Sequence, residues 1–141
     1  ESTVRMAEAM AAGAARPSVE VLPLHVRRTD DTRTVTEVLD AACVAVGSST
    51  LNMGMMPSLA RTLTYLKGLK PQNKAGFAFG THGWGRGGPE AVQEYLEAMK
   101  FDILREPYKV QWRPKETDLD ECRRLGAMLA DKAEAIAAAA S

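Results

Sequence analysis

The chain has 141 residues, with 18 basic side chains against 18 acidic ones and a formal net charge of zero. Apolar residues make up 45% and charged residues 26%, the composition of one soluble globular domain and not of a disordered chain. Nucleic acid, membrane spanning and secretion are disfavoured: there is no basic stripe, no apolar run near the roughly 20 residues of a membrane helix, and no signal-peptide core in residues 1–10.

Ser2-Thr3 reads as a helix cap, followed by the stripe Met6, Ala9, Met10 and Gly13, and Arg16-Pro17 closes that helix. Val19, Val21 and Leu22-Pro23-Leu24 predict a short strand over 19–24. Residues 27–33 read as a charged loop and 34–39 as a short helix. Residues 43–47 are apolar throughout, a second strand. The next helix has Pro57 in its first turn, Leu59, Leu63 and Leu66 on one face, and Gly68 at its C-terminal cap. Residues 75–79 form a third apolar strand. Five of the 11 glycines then fall within 80–88, where the spacing predicts a loop. Pro89 opens a helix with the stripe Val92, Tyr95, Leu96 and Met99, and residues 108–112 alternate as a fourth strand. Acids start the last helix at Thr117. Its expected buried face is Cys122, Leu125, Gly126, Leu129, Ala133 and Ile136, and its Ala-rich end is expected to fray.

Strands alternating with helices imply a single α/β domain over residues 1–141, doubly wound on a parallel sheet. Segments 43–47 and 75–79 are apolar on both faces, as interior strands are. Segments 19–24 and 108–112 alternate, and Pro23 bars the first from the middle, so these two are expected at the edges. In the strand order 2-1-3-4-5 the first strand belongs between 19–24 and 43–47. The chain opens at a helix cap instead, so this strand is expected to be missing from the sequence as given.

Ligands of open α/β sheets sit beyond the C-terminal strand ends, where three loops arrive. Ser2 and Thr3 suit an anion such as phosphate at a helix start, or are simple caps. Residues 47–54 (Gly-Ser-Ser-Thr-Leu-Asn-Met-Gly) offer donors and acceptors without bulk, fit for a polar heteroaromatic ring and its sugar-like chain, or for a plain polar turn. In residues 80–88, Trp84 between glycines suits a wall on which another ring stacks, or a partner contact. The G-x-G-x-x-G match at Gly83, Gly85 and Gly88 follows a late strand, and no acid ends the next one, so it is a weak dinucleotide signal that ranks below ring stacking. Cys43 and Cys122 read as packing residues in a reducing cytoplasm, His25 and His82 lack metal-ligand spacing, and no nucleophile elbow is present.

Together, residues 47–52, Met56-Pro57-Ser58, Tyr65-Leu66-Lys67-Gly68-Leu69, Gly76-Phe77-Ala78-Phe79-Gly80 and Gly83-Trp84-Gly85 resemble the flavodoxin-like domain of the flavodiiron proteins (A-type flavoproteins, rubredoxin:oxygen oxidoreductase-like). Ser2-Thr3 with Met6-Ala7 resembles the end of that family's phosphate loop and the start of its first helix. The resemblance implies FMN, with Ser2 and Thr3 on the phosphate and Ser48, Ser49, Thr50, Leu51 and Asn52 along the ribityl chain and one side of the isoalloxazine. Thr81, His82, Gly83, Trp84 and Gly85 would form the other side, with Trp84 stacked and Arg86 raising the flavin potential. It implies electron transfer from a rubredoxin or a flavin or iron reductase to a di-iron centre that reduces oxygen or nitric oxide. That centre lies in a domain absent here, of the same or a facing subunit in a homodimer. The alternatives are a stand-alone flavin-dependent reductase of quinones or similar small acceptors, and a ligand-free interaction module docking through the Trp84 loop.

Overall fold

The computed structural model describes residues 2–50, 54–83 and 87–140. The first helix, α1 (Ser2–Ala14), buries Met6, Ala9, Met10 and Ala14 and stops short of Pro17, whose missing N–H cannot continue it. Helix α2 (Asp31–Asp40) begins three residues before the predicted start, with Asp31 in its first turn where a negative charge faces the helix dipole. Then come strand β1 (Cys43–Gly47), helix α3 (Pro57–Gly68), strand β2 (Ala75–His82), helix α4 (Gly88–Ala98), the short strands β3 (Asp102–Ile103) and β4 (Tyr108–Gln111), and the long helix α5 (Glu116–Ala140).

All strand pairings are parallel. β2 takes β1 on one edge, Cys43 opposite Ala75 through Gly47 opposite Phe79. Its other edge takes β3 near its start and β4 near its end. β3 and β4 thus share one strand position, interrupted by residues 104–107, a break that the sequence pattern did not predict. Successive β2 side chains face opposite ways, as a strand's period of two demands. Phe77 and Phe79 join Met6, Met10, Leu119, Cys122 and Leu125 on the α1/α5 side. Ala78 joins Val35, Leu63, Val92, Leu96 and Phe101 on the side of α2, α3 and α4. The result is a sheet between two helical layers, with each fully buried Phe or Leu side chain contributing about 1.5–3 kcal/mol.

Several expectations are corrected. Residues 19–24 form no strand: an isolated antiparallel bridge joins Arg16 to Val19, and Leu22 is 46% exposed. A strand is held by a neighbour's ladder, and beyond that single bridge none of the described residues pairs with this segment; Pro23 also withholds one N–H. For the same reason β1 is not interior among the described residues. It pairs with β2 alone, and all five of its residues, Cys43 included, are only half-buried. β2, by contrast, is buried along its whole length and reaches three residues further than predicted, because pairing of Phe79–His82 with β4 holds Gly80, Thr81 and His82 in the ladder. Gly68 is the last residue of α3 rather than its cap. Leu69 caps the helix, and Lys70 turns the chain with φ of 52°. On α5, Cys122, Leu125 and Gly126 are buried as expected, but Leu129, Ala133 and Ile136 are only half-buried, and Leu119 and Ala130 complete the face. The Ala-rich end stays helical to Ala140, in keeping with alanine's propensity. None of the described helices is long and apolar enough to cross a membrane.

Candidate functional site

Three hydroxyls from three distant parts of the chain meet at the C-terminal end of the sheet. Thr3 stands in the first turn of α1, Ser49 just past β1, and Thr81 near the end of β2. Thr3 Oγ1 lies 3.0 Å from Ser49 Oγ and 3.1 Å from Thr81 Oγ1, and Ser49 Oγ lies 3.4 Å from Thr81 Oγ1. These groups can each donate or accept, so the cluster can reorient toward an incoming polar ligand. The N–H groups of the first α1 turn have no intrahelical acceptor, which adds donors and positive potential at the same place.

The backbone brings these groups together. Beyond β1 the chain keeps bonding to β2, with the Ser48 N–H donating to the Phe79 carbonyl and the Thr50 N–H to the Thr81 carbonyl, both at 3.0 Å. Gly80 permits that approach, since a Cβ there would lie 1.8 Å from the Ser48 carbonyl oxygen. The Ser48 hydroxyl donates to the Ser49 carbonyl at 2.8 Å and accepts the Met56 N–H at 3.2 Å, pinching the loop after β1 at its base. The Gly88 N–H donates to Thr50 Oγ1 at 3.1 Å, so the start of α4 is tied to the same loop. A Cβ on Gly88 would lie 2.9 Å from both the Ser49 carbonyl and Thr50 Oγ1. Gly87 precedes α4 with φ of 132°, a conformation that favours glycine.

Of the residues singled out from the sequence, the structure therefore unites Thr3, Ser48, Ser49, Thr50 and Thr81, with Ser2 beside Thr3 at the start of α1. Thr81 and His82 belong to a strand and not to a loop. His82 is buried, and its Nδ1 lies 3.2 Å from the Gly83 carbonyl; a carbonyl only accepts, so this bond places the proton on Nδ1. Leu51, Asn52, Trp84, Gly85 and Arg86 lie outside the described residues. Glu90, in the first turn of α4, pairs with Lys109 of β4. Burial would push its carboxyl up, but the bond from Lys109 Nζ at 2.7 Å and the charges of Lys109 and His82 outweigh that and hold it below its ordinary value.

Sequence reasoning missed Trp112. It follows β4 at the same end of the sheet and is 50% exposed, and its six-membered ring lies over Gly83. The argument applied to Trp84, an exposed indole where parallel strands end, would have found it. Two cavities, about 370 Å³ beside Arg27, Asp31 and Arg61 and about 510 Å³ beside Lys74, Lys100 and Lys132, include none of the hydroxyl cluster. Among the described residues no three His, Cys, Asp or Glu side chains gather into a metal site.

The sequence model of the flavodoxin family matches residues 2–126. A nitric oxide reductase of Moorella thermoacetica is 39% identical over 130 residues, which are 92% of this chain and 33% of that protein. The structure of the rubredoxin oxygen:oxidoreductase from Desulfovibrio gigas superposes with a TM-score of 0.90 at 35% identity, covering 97% of this chain and 34% of that one. The flavodiiron protein from Giardia intestinalis gives 0.87 at 33% identity, covering 96% and 34%. The chain thus spans about a third of the length of the curated relatives it matches.

Proposed function

The chain belongs to the flavodoxin family, whose cofactor is FMN, and from that premise we propose that it is the electron-transfer domain of a flavodiiron-type protein. In this reading it takes electrons from a rubredoxin or a reductase and passes them to a di-iron centre in another domain, of the same or a facing subunit, that reduces oxygen or nitric oxide. The observation that carries the reading is the meeting of Thr3, Ser49 and Thr81 within 3.4 Å, at a helix start and a strand end. A neutral hydroxyl cluster with free backbone donors suits an uncharged polyol chain ending in a phosphate.

The residues fit that cofactor. Ser2, Thr3 and the first N–H groups of α1 would hold the phosphate. Ser49, Thr50 and Thr81 would hold the ribityl hydroxyls, with Ser48 shaping the loop and His82 and Gly83 on the far side of the ring. Bound FMN supplies one- and two-electron redox chemistry. The protein orients the ring, keeps water from it and sets its potential. Cys43 and Cys122 are free thiols, which suits the reducing cytoplasm as the setting.

The test is a titration of FMN fluorescence with the 141-residue chain. Quenching that saturates at one flavin per chain is expected. The pair Thr3→Val and Ser49→Ala should weaken it roughly tenfold, since each net hydrogen bond contributes about 0.5–1.5 kcal/mol. Fluorescence that the wild-type chain leaves unchanged would sink the proposal. Reoxidation of the reduced, loaded domain by a flavodiiron di-iron domain, and its reduction by rubredoxin rather than by a nicotinamide, test the direction of electron flow.

A further inference from the structure

Trp112 adopts a conformation that bulky residues rarely take. Directly after β4 it turns the chain with φ of 62°, a left-handed geometry that L side chains avoid unless their surroundings hold them there. The Trp112 N–H donates to the His82 carbonyl at 2.7 Å, fastening the turn to the last residue of β2. The same turn lays the indole against Gly83. A Cβ at position 83 would lie 2.7 Å from Cζ3 of Trp112 and 3.1 Å from Cη2, closer than real Cβ contacts come. Gly83 is therefore glycine because a ring occupies the space of its side chain.

The Gly83 carbonyl is held as well. It accepts from His82 Nδ1 at 3.2 Å and from Gln111 Nε2 at 3.4 Å. One ring and two hydrogen bonds thus fix the direction in which the chain leaves β2, and two of these three contacts come from consecutive residues at the end of β4. The indole is half-exposed and, among the described residues, belongs to neither buried core cluster.

We propose that Trp112, assisted by Gln111, is a positioning residue for the FMN site, setting where the strand end at His82 and Gly83 stands against the flavin and so governing its affinity and potential. This rests on the FMN reading above. The indole acts through Gly83 as a backstop: it blocks retreat of the backbone at the end of β2, while the Gln111 amide and the His82 imidazole keep the Gly83 carbonyl from rotating toward the ligand.

The test uses the chain reconstituted with FMN and measures the dissociation constant, the visible circular dichroism of the flavin and its midpoint potential, with thermal unfolding of the apoprotein alongside. Trp112→Ala is expected to loosen FMN roughly tenfold and to shift both the dichroism and the potential, while Trp112→Phe stays within about threefold of wild type. Gly83→Ala should loosen FMN when Trp112 is present and cost little more in the Trp112→Ala background, because the clash is then gone. Unchanged affinity and dichroism in Trp112→Ala overturn the proposal. So do effects of Gly83→Ala and Trp112→Ala that simply multiply, or a loss of affinity matched by a drop in apoprotein melting temperature. If the wild-type chain takes up no FMN, the cofactor reading itself fails and the role of Trp112 falls with it. A failure confined to the variants leaves that reading standing.

Discussion

Gln93 does the work of a missing strand. Where residues 104–107 interrupt the strand position beside β2, the Ala78 N–H faces no ladder carbonyl and donates instead to Gln93 Oε1 at 2.8 Å, while Gln93 Nε2 donates to the Arg105 carbonyl at 2.9 Å. The side chain is 6% exposed, so water cannot substitute for it. Gln93→Leu, similar in size, should lower the unfolding free energy in urea by about 1–3 kcal/mol, because it strands a buried N–H. A variant as stable as wild type would show that the break in the strand closes without it. Nothing in the sequence marks this residue. It reads as one polar position in α4 beside the buried Val92 and Leu96, and its role exists only because β2 and the break lie next to it in space. Thr3, Ser49 and Thr81 are the opposite case. Thr3 and Ser49 are legible as small hydroxyl residues at a helix start and in a polar loop after a strand, Thr81 only through the family resemblance, and the fold brings all three together.

Helices were readable from their stripes because burial on one face of a helix writes its period directly into the sequence. How closely they pack was not. α1 and α5 cross backbone to backbone at two glycines: a Cβ on Gly126 would lie 2.0 Å from the Met10 carbonyl oxygen, and one on Gly13 would lie 1.9 Å from that of Arg123. Helix propensity alone says Gly126→Ala should stabilise α5 by up to about 1 kcal/mol. Forcing two backbones apart within a packed layer costs about 1–3 kcal/mol, so a net loss is expected, visible as a lower urea midpoint at unchanged slope. A more stable variant would mean that the helices separate freely. The strands were legible where they are apolar on both faces and misjudged where pairing decides. Residues 19–24 carry a strand pattern without a partner, β2 outruns its apolar run because β4 holds its end, and β3 is too short to leave a pattern at all.

The chain as a unit should lose stability in alkali. Burial, with help from Asp118 and Glu121, pushes the Cys122 thiol from 9.0 up to about 11, and burial together with Asp118 pushes the Tyr108 phenol from 10.0 up to about 12. Both folded values are raised, so the folded state holds these protons more tightly than the unfolded chain. Their stabilisation is complete below about pH 9 and disappears as the pH climbs to about 12. Urea midpoints should fall across that window, and a phenolate titration should show one of the three tyrosines ionising late; three ionising together near their ordinary value would contradict it. At neutral pH the partly exposed ion pairs, such as Arg61 with Asp31, contribute little, in keeping with a chain of zero net charge. Composition and periodicity sufficed for the α/β class, the helical faces, the central β2 and the loops that carry the polar groups, because each is a local consequence of which side chains tolerate burial. Strand pairing, the break between β3 and β4, the glycine crossing of α1 and α5 and the hold of Trp112 on Gly83 depend on contacts between residues far apart in the chain. No local pattern encodes such contacts, and the folded arrangement alone creates them.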